Sequence, residues 1–248
     1  QFSDLSIKIN LEDELKKGNF LIGLKQYLGA ENKNLLFESE DYLKLNSTNG
    51  ISHKSKSIQI SLEKVPLQKP KIIERLVLGP FASYESAKRK SDLLNLVGFK
   101  PVIVYPDQWE LWLPINASAA KKYNFKPKKF VYKALNTPFL TNEFVNQKIE
   151  GVISISSKKN IKINNVLFGK YFYLVRDSYG TWSLIQRLSF DKYLEGVLPH
   201  EIGANSPLEA LKAQAIIART WALYNSDRFK NDKYHLCITT QCQVYKPY

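Results

Sequence analysis

The stretch of residues 206–225, SPLEALKAQAIIARTWALYN, constrains the fold of this chain more than any other part of its sequence. Ser206, Pro207 and Glu209 match the pattern of a helix start, in which a serine caps the helix, a proline occupies its first turn and a glutamate reaches back to the cap. This pattern predicts a helix over residues 207 to about 225, closed at its start by a capping box.

Apolar side chains fall on two opposite faces of the predicted helix. The two stripes consist of Leu208, Leu211, Ala215, Ala218 and Ala222 on one face, and of Ala213, Ile217, Trp221 and Tyr224 on the other. A helix that is apolar on two faces is normally buried in a core or between layers. We therefore expect a buried C-terminal helix packed on β-structure.

The same helix carries three polar side chains, Lys212, Gln214 and Arg219. Lys212 and Arg219 are seven residues apart, so they project about 20° from each other along one edge of the helix. A cation on a buried helix must be paired or must face a cleft, because removing it from water alone is too costly. Two interpretations stay open: ion pairs at the rim of the core, and a cleft floor that binds a polar substrate.

Glu201 lies five residues before Ser206, among the apolar residues Val197, Leu198 and Ile202. An acid near a helix start can simply complement the helix dipole. The alternative is a carboxylic acid held in a loop over the helix, where apolar neighbours favour the protonated form that a general acid needs.

Short apolar or alternating segments, separated by turn-forming residues, fill most of the rest of the chain. Together with the helical last third they predict an α+β fold with strand-rich N-terminal regions. We divide the chain into a β-rich region at residues 1–69, a β-α-β-β unit at 72–115 and a domain at 125–248, with a linker at 65–71. Ser83 and Gly98 are the predicted ends of the helix in the middle unit, and residues 164–165 and 177–180 are predicted hairpin turns.

The chain has 248 residues and a formal net charge of +13, which is compatible both with an ordinary basic soluble protein and with an anionic polymer as partner, such as nucleic acid, a membrane surface or the cell wall. Its lysines are scattered rather than gathered in one arm, which argues against nucleic acid. No apolar run reaches the roughly 18 residues that a membrane-spanning helix needs, and residues 1–18 lack the apolar core of a signal peptide. The absence of Met indicates a piece of a longer protein, whose targeting signal we expect to lie outside it.

A family resemblance lies in YLEGVLPHEIGANSPLEALKAQAIIARTWAL, residues 193–223, and in the block CITTQCQVY, residues 237–245. Both are similar to the signature of the SpoIID/LytB family, stage II sporulation protein D and its relatives, with a match over about residues 145–248. The resemblance implies a lytic transglycosylase that cleaves peptide-stripped glycan strands of peptidoglycan in the cell wall or periplasm. It also implies that the domain continues beyond Tyr248.

In the implied reaction, Glu201 protonates the glycosidic oxygen between N-acetylmuramic acid and N-acetylglucosamine. The muramic C6 hydroxyl then attacks C1 and leaves a 1,6-anhydro end, so that no second carboxylate is needed. Arg219 matches the arginine of the family's helix and would orient Glu201 or a sugar substituent. Lys212, Gln214 and Tyr193 are the candidate substrate-binding residues.

The family also offers a non-catalytic alternative, a glycan-binding module or an enhancer of a cell-wall amidase. Upstream, the phrases GPFASYESA and GFKPVIV within the 72–115 unit resemble a SPOR-type repeat, a module associated with peptidoglycan glycan strands. A generic βαβ-like unit is the other interpretation of these residues.

His235, Cys237 and Cys242 could supply three ligands to a structural zinc ion, although the implied reaction requires no cofactor. Some family members resemble a zinc site here, with a histidine just before the second cysteine, where this chain has Gln241. The two cysteines could instead form a Cys237–Cys242 disulfide, which is natural outside the cytoplasm, or stay as free thiols.

Overall fold

The computed structural model describes residues 7–30, 34–142 and 145–247. Among these residues the α-helices are α1 (Leu11–Lys16), α2 (Tyr84–Leu96), α3 (Phe190–Glu201) and α4 (Leu208–Tyr224). The strands are β1 (Asn19–Leu28), β2 (Asn34–Ser47), β3 (Ser52–Phe81), β4 (Val102–Val104), β5 (Trp109–Pro114), β6 (Lys126–Thr141), β7 (Asn146–Lys148), β8 (Ile153–Ser156), β9 (Ile161–Ile163), β10 (Val166–Leu167), β11 (Tyr171–Arg176), β12 (Trp182–Ser189) and β13 (Leu236–Cys237). The predicted strand-rich α+β class is confirmed.

The chain divides into two compact units, whose limits differ from those of the predicted domains. Residues 1–64 and 136–248 form one unit, and residues 65–135 form the other. The regions predicted at 1–69 and 125–248 thus share most of one unit. Local sequence patterns do not predict that these two regions share a unit. The contacts that join them are strand pairs between residues far apart in sequence, such as Asn19 with Ser189.

The first unit is built on a sheet with the strand order β13-β1-β12-β11-β8-β2-β3. Neighbouring strands run antiparallel, except that β13 lies parallel to β1. Because side chains alternate along a strand, one face of β12 presents Trp182, Leu184 and Leu188 to the core. Helices α3 and α4 contribute to the same core through Tyr193, Leu194, Val197, Ala218 and Ala222.

In the second unit, the later part of β3 pairs with β5, and β5 pairs with β4. The linker predicted at residues 65–71 is therefore part of a continuous strand. Helix α2 begins as predicted, with the Ser83 side chain accepting a 3.2 Å hydrogen bond from the Ser86 amide, and Gly98 follows its end with a φ of 91°. These elements follow the order β-α-β-β, and the resemblance to a SPOR repeat stays a prediction.

The predicted hairpin turns are present in the first unit. Asn164 and Asn165 have φ values of 48° and 69°, and they connect the paired strands β9 and β10. Gly180, with a φ of 85°, lies between β11 and β12. Positive φ angles in such short loops match the right-handed twist of the flanking strands.

Helix α3 places Glu201 at the last position of a helix and not in a loop, which corrects the prediction. The helix starts where β12 ends, with the Ser189 side chain accepting a hydrogen bond of 3.3 Å from the Lys192 amide. The buried face of α3, formed by Tyr193, Leu194 and Val197, packs against the core, and this packing holds the helix in place. That packing outweighs the poor helix propensity of Pro199, which lies in the last turn.

Helix α4 has nearly the predicted limits, but the predicted capping box does not form. Pro207 occupies the cap position, where no side chain bonds to the first turn. The Ser206 hydroxyl instead donates a 2.5 Å hydrogen bond to the carbonyl of Ile202. This bond uses the hydroxyl to close the turn between α3 and α4.

The prediction that this helix is buried on two faces is wrong. Ala218 and Ala222 of the first stripe are buried in the core. In the opposite stripe the half-buried Trp221 packs against the core, but Ile217 is 60% exposed and Tyr224 is 89% exposed. Among the described residues, no helix is both long and apolar enough to cross a membrane.

Candidate functional site

Helix α3 carries Tyr193 near its start and Glu201 at its last position. Tyr193 is fully buried, whereas Glu201 is exposed at the end of the helix. Burial raises the pKa of Tyr193 well above its usual value, and the nearby Cys242, Cys237 and Glu201 raise it further. The charge of Glu201 thus contributes to the raised pKa of this buried phenol.

The segment after Cys242 packs on α3 and holds Tyr193. The Tyr193 hydroxyl donates a 3.1 Å hydrogen bond to the side-chain carbonyl oxygen of Gln243. The ring of Tyr193 stacks on that of Tyr245, with centroids 5.9 Å apart and planes inclined by 10°. The Lys246 amide donates a bond of 3.1 Å to the Gly196 carbonyl. The end of the described chain is thus bound to the middle of α3.

The two cysteines lie beside this cluster as free thiols. Their sulfur atoms are 2.8 Å apart and share a hydrogen bond, and the Cys237 amide donates to the Cys242 sulfur at 3.1 Å. The bond to Cys242 lowers the pKa of Cys237 to about 7, while burial raises the pKa of Cys242. The structure brings Cys237 and Cys242 together as predicted, and their geometry permits oxidation to a disulfide.

His235 does not join the cysteines as a third ligand. Its Nδ1 accepts a 2.8 Å hydrogen bond from the Leu21 amide, so the proton lies on Nε2, which is 3.1 Å from the Leu11 carbonyl. Burial lowers the pKa of His235, which favours this neutral form. With both ring nitrogens engaged, His235 ties α1 and β1 together. Within residues 7–30, 34–142 and 145–247, no three histidine, cysteine or acidic side chains form a metal-binding group.

The polar residues of α4 lie on its surface side. Lys212 and Arg219 are exposed, and Gln214 is half-buried. Lys212 pairs with Glu209 at 2.8 Å, but both side chains are solvent-exposed, so this pair contributes little to stability. In the described part of the chain, the side chains of Glu201 and Arg219 make no hydrogen bond or ion pair with each other or with other residues. The predicted support of Glu201 by Arg219 is thus not a direct contact in this structure.

Arg228 is a site residue that sequence reasoning missed. It is only 4% exposed, and its guanidinium donates to the Asn225 side chain at 2.8 Å and lies 5.3 Å from the centre of the Trp221 ring. Its charge lowers the pKa of Cys242, in opposition to the effect of burial. Nothing in the local sequence NSDRFK distinguishes this arginine from a surface one.

Gln243 and Tyr245 were also missed as site residues, although they lie within the family-like block at residues 237–245. The family resemblance of that block was the signal that could have identified Gln243 and Tyr245 as site residues. Their contacts with Tyr193 depend on the chain returning to α3, which local pattern does not predict.

Residues 178–248 match the family described as "SpoIID: Stage II sporulation protein". This match confirms the family resemblance for that part of the chain, which includes α3, α4 and both cysteines. The fold and site therefore define an α+β protein in which residues 178–248 are similar to the SpoIID family.

One relative is an uncharacterized protein of Brachyspira hyodysenteriae, to which the chain is 29% identical over 136 residues. The aligned part covers 50% of this chain and 36% of that protein, so the chain spans little more than a third of its relative. No solved structure matches the chain.

Proposed function

We propose that this protein cleaves the glycan strands of peptidoglycan as a lytic transglycosylase, with Glu201 as its general acid. One observation supports this proposal most directly. Glu201 is an exposed carboxylate at the end of α3 and inside the SpoIID-family region, and its charge contributes to the raised pKa of the buried Tyr193. It is the one carboxylate among the charged groups that raise the pKa of Tyr193 in the described residues.

A single carboxylate suffices for this reaction. Protonated Glu201 gives its proton to the glycosidic oxygen, and the bond from that oxygen to C1 of the muramic sugar breaks. The C6 hydroxyl oxygen of the same sugar bonds to C1, and its proton passes to the Glu201 carboxylate. The acid is restored, no water is consumed, and the product carries a 1,6-anhydro end. A second carboxylate at the spacing of ordinary glycosidases is not required.

Substrate binding would prepare Glu201 for this role. The carboxylate is exposed in the free protein. A glycan lying over the end of α3 would exclude water from around this group. Tyr193, Gln243 and Tyr245 would act as positioning residues, because their contacts fix the helix that carries Glu201.

Arg219, Lys212 and Gln214 are the residues of α4 proposed to contact the substrate. Their exposure leaves them accessible to a sugar acetamido group or a lactyl carboxylate. Breaking the exposed pair between Lys212 and Glu209 would cost roughly 1 kcal/mol or less, so Lys212 can exchange partners. The net charge of +13 suits an anionic glycan. This substrate would place the protein outside the cytoplasm.

The proposal is tested with the purified chain and with glycan strands from which an amidase has removed the stem peptides. Mass spectrometry should detect 1,6-anhydro products with the natural protein. Replacing Glu201 by Gln should lower product formation by roughly 100-fold or more, the loss expected when a general acid is removed.

Glu195→Gln is the matched control. Glu195 lies on the same helix, and its partner Lys192 is 2.6 Å away on the exposed surface. This variant should keep its activity. Undiminished cleavage by Glu201→Gln would refute the role of Glu201, whereas glycan binding without any anhydro product from the natural protein would favour the non-catalytic wall module.

A further inference from the structure

A groove of about 690 Å³ lies on the first unit, where β2, β3 and the hairpin of β9 and β10 meet. Its volume is within the roughly 300–1,000 Å³ that is typical of ligand sites. We name it the Lys162 groove, and its charged lining residues are Lys56, Lys159, Lys162, Lys170, Glu38 and Glu40. The function proposed above assigns no role to any of them.

Strand pairing gives the groove a row of polar side chains. Glu38 on β2 is paired with Ser57 on β3 and with Lys162 on β9. Residues that are directly paired project from the same face of a sheet. Phe37, which precedes Glu38, is fully buried in the core, so the three polar side chains project from the face that lies away from the core.

Hydrogen bonds fix the walls of the groove. The Ser157 amide donates to the Lys170 carbonyl at 3.0 Å. The Ser39 hydroxyl donates to the Asn160 carbonyl at 3.0 Å and also lies 3.0 Å from the Ser157 hydroxyl. The groove is therefore formed before a ligand enters, which lowers the entropic cost of binding.

The charges of the groove are available to a ligand. Its four lysines are exposed and have no ion pair within the described residues. Four lysines and two glutamates give the groove a net charge of +2. A cleft with an excess of one sign of charge concentrates ligands of the opposite sign. An anionic group could therefore bind here without displacing an existing partner of these lysines.

The groove continues toward α3. A smaller pocket of about 240 Å³ adjoins it and shares Lys170 with it. Ser189 and Lys192, at the start of α3, line that smaller pocket. Helix α3 has 12 residues, so roughly 17 Å separate its first residue from Glu201 at its end. The groove is thus a separate site, which only a long ligand could occupy together with Glu201.

We propose that the Lys162 groove binds a segment of a glycan strand that carries carboxylates, at a distance from Glu201. Lysine ammonium groups bind carboxylates through charge-assisted hydrogen bonds. The carboxylates of Glu38 and Glu40 accept hydrogen bonds from sugar hydroxyls, whereas they would repel the phosphates of a nucleic acid. The choice of a glycan rests on the function proposed above, while the groove and its charges do not.

The experiment measures binding by calorimetry to the full chain carrying Glu201→Gln, so that the ligand stays intact. The probes are peptide-stripped glycan strands, whose muramic sugars carry carboxylates, and chito-oligosaccharides of equal length, which carry none. The glycan strands should bind more tightly, and added salt should weaken their binding more than that of the chito-oligosaccharides. Adding the pair Lys56→Gln and Lys162→Gln should weaken binding of the glycan strands about fivefold or more.

The pair Lys17→Gln and Lys230→Gln is the matched control. Both lysines are exposed, belong to the first unit and lie outside the groove, and the pair removes the same amount of charge. The control should bind the glycan strands as tightly as the Glu201→Gln chain does. Both pairs change exposed side chains, so neither should shift the unfolding midpoint, and a loss of binding would not reflect unfolding.

Three outcomes would overturn the proposal. The groove pair and the control pair could bind the glycan strands equally well. Chito-oligosaccharides could bind as tightly as the glycan strands, which would exclude a role for the carboxylates. Single-stranded DNA could bind more tightly than the glycan strands and lose that binding in the groove pair, which would identify a nucleic-acid site.

The groove proposal and the catalytic proposal can fail separately. With Glu201 present, the groove pair should raise KM for long strands and leave kcat unchanged, because the groove does not touch the bond that breaks. If the natural chain forms no anhydro product but the groove pair loses glycan binding, only the catalytic proposal fails. If the chain cleaves glycan and the groove pair keeps the natural KM, only the groove proposal fails.

Discussion

Tyr193 and Tyr245 stack almost in parallel, with ring centroids 5.9 Å apart and an interplanar angle of 10°. Tyr193 belongs to α3 and is fully buried, while Tyr245 lies near the end of the described chain and is 4% exposed. The pair joins the helix that carries Glu201 to the segment after the two cysteines. The position of Glu201 therefore depends on a contact between residues more than fifty positions apart in the sequence.

Gly196→Ala should destabilise the protein, because there is no room for a side chain between α3 and Tyr245. A methyl group at Gly196 would lie 2.3 Å from Tyr245 Cε2 and 2.9 Å from the Lys246 carbonyl oxygen. We expect a loss of about 1–3 kcal/mol in the free energy of unfolding, measured by urea denaturation. Alanine is the better helix former, so a loss would report the steric conflict and not helix propensity.

A double-mutant cycle tests the origin of that loss. In the Tyr245→Ala background the ring is absent, so Gly196→Ala should cost clearly less than it does in the natural chain. Equal costs in both backgrounds would show that the Tyr245 ring does not limit the space at residue 196.

Asp232→Asn should change how stability depends on pH. Burial raises the pKa of Asp232 to about 7, although the Tyr179 hydroxyl donates to it at 2.9 Å, and the neighbouring Asp177 adds to the rise. Between pH 4 and 7 the unfolded carboxyl is ionised and the folded one is protonated, so the folded state binds more protons. Stability should therefore fall as pH rises through this range, by about 1.4 kcal/mol per pH unit from this group.

The asparagine variant cannot ionise, so it should lack this part of the pH dependence and be more stable than the natural chain above pH 7. Urea denaturation at several pH values from 4 to 8 measures the difference. Asp107→Asn, a change of an exposed aspartate, should reproduce the natural curve. Parallel curves for the natural chain and Asp232→Asn would contradict the raised pKa.

Two substitutions on α4 should differ strongly in their effect on the stability of the protein. Ala222 is fully buried against the core, so Ala222→Leu should cost about 1–3 kcal/mol through overpacking. Ile217 is 60% exposed on the other side of the helix, so Ile217→Gln should change stability by only about 0.5 kcal/mol. Thermal unfolding of the two variants measures both. A large loss from Ile217→Gln would mean that this face is covered in solution.

Mild oxidation should join Cys237 and Cys242 within one chain. The two sulfurs are 2.8 Å apart as thiols, and a disulfide bond requires a separation of about 2 Å. Mass spectrometry of the unreduced chain should show the loss of two hydrogen atoms, and Cys242→Ser should prevent it. Two thiols that persist under the oxidant, or zinc that copurifies at one ion per chain, would contradict the disulfide.

Local sequence patterns predicted the elements whose signals are short-range. Ser83 begins α2 and Gly98 follows its end, because a capping side chain and a positive φ are properties of a few consecutive residues. Asn164 and Asn165 form their turn for the same reason. The α4 helix and the family motif around Glu201 were equally readable.

The same patterns failed where neighbours distant in sequence decide. The apolar stripe containing Ile217 predicted burial, but Ile217 and Tyr224 of that stripe are exposed, and the buried residues Ala218 and Ala222 belong to the opposite stripe of α4. A second failure is local: Ser206 matches the sequence pattern of a helix cap, but its hydroxyl donates to the carbonyl of Ile202, four residues earlier.

The sequence by itself determined the strand-rich α+β class, the helix over residues 208–224 and the family to which residues 178–248 are similar. Tertiary structure alone decided that residues 1–64 join 136–248, that Tyr245 lies on Gly196, and that the Gln186 amide has no partner among the described residues. Helix ends and turns follow from the conformational preferences of adjacent residues. Strand order, burial and hydrogen-bond satisfaction depend on which distant surfaces meet, and no local pattern contains that information.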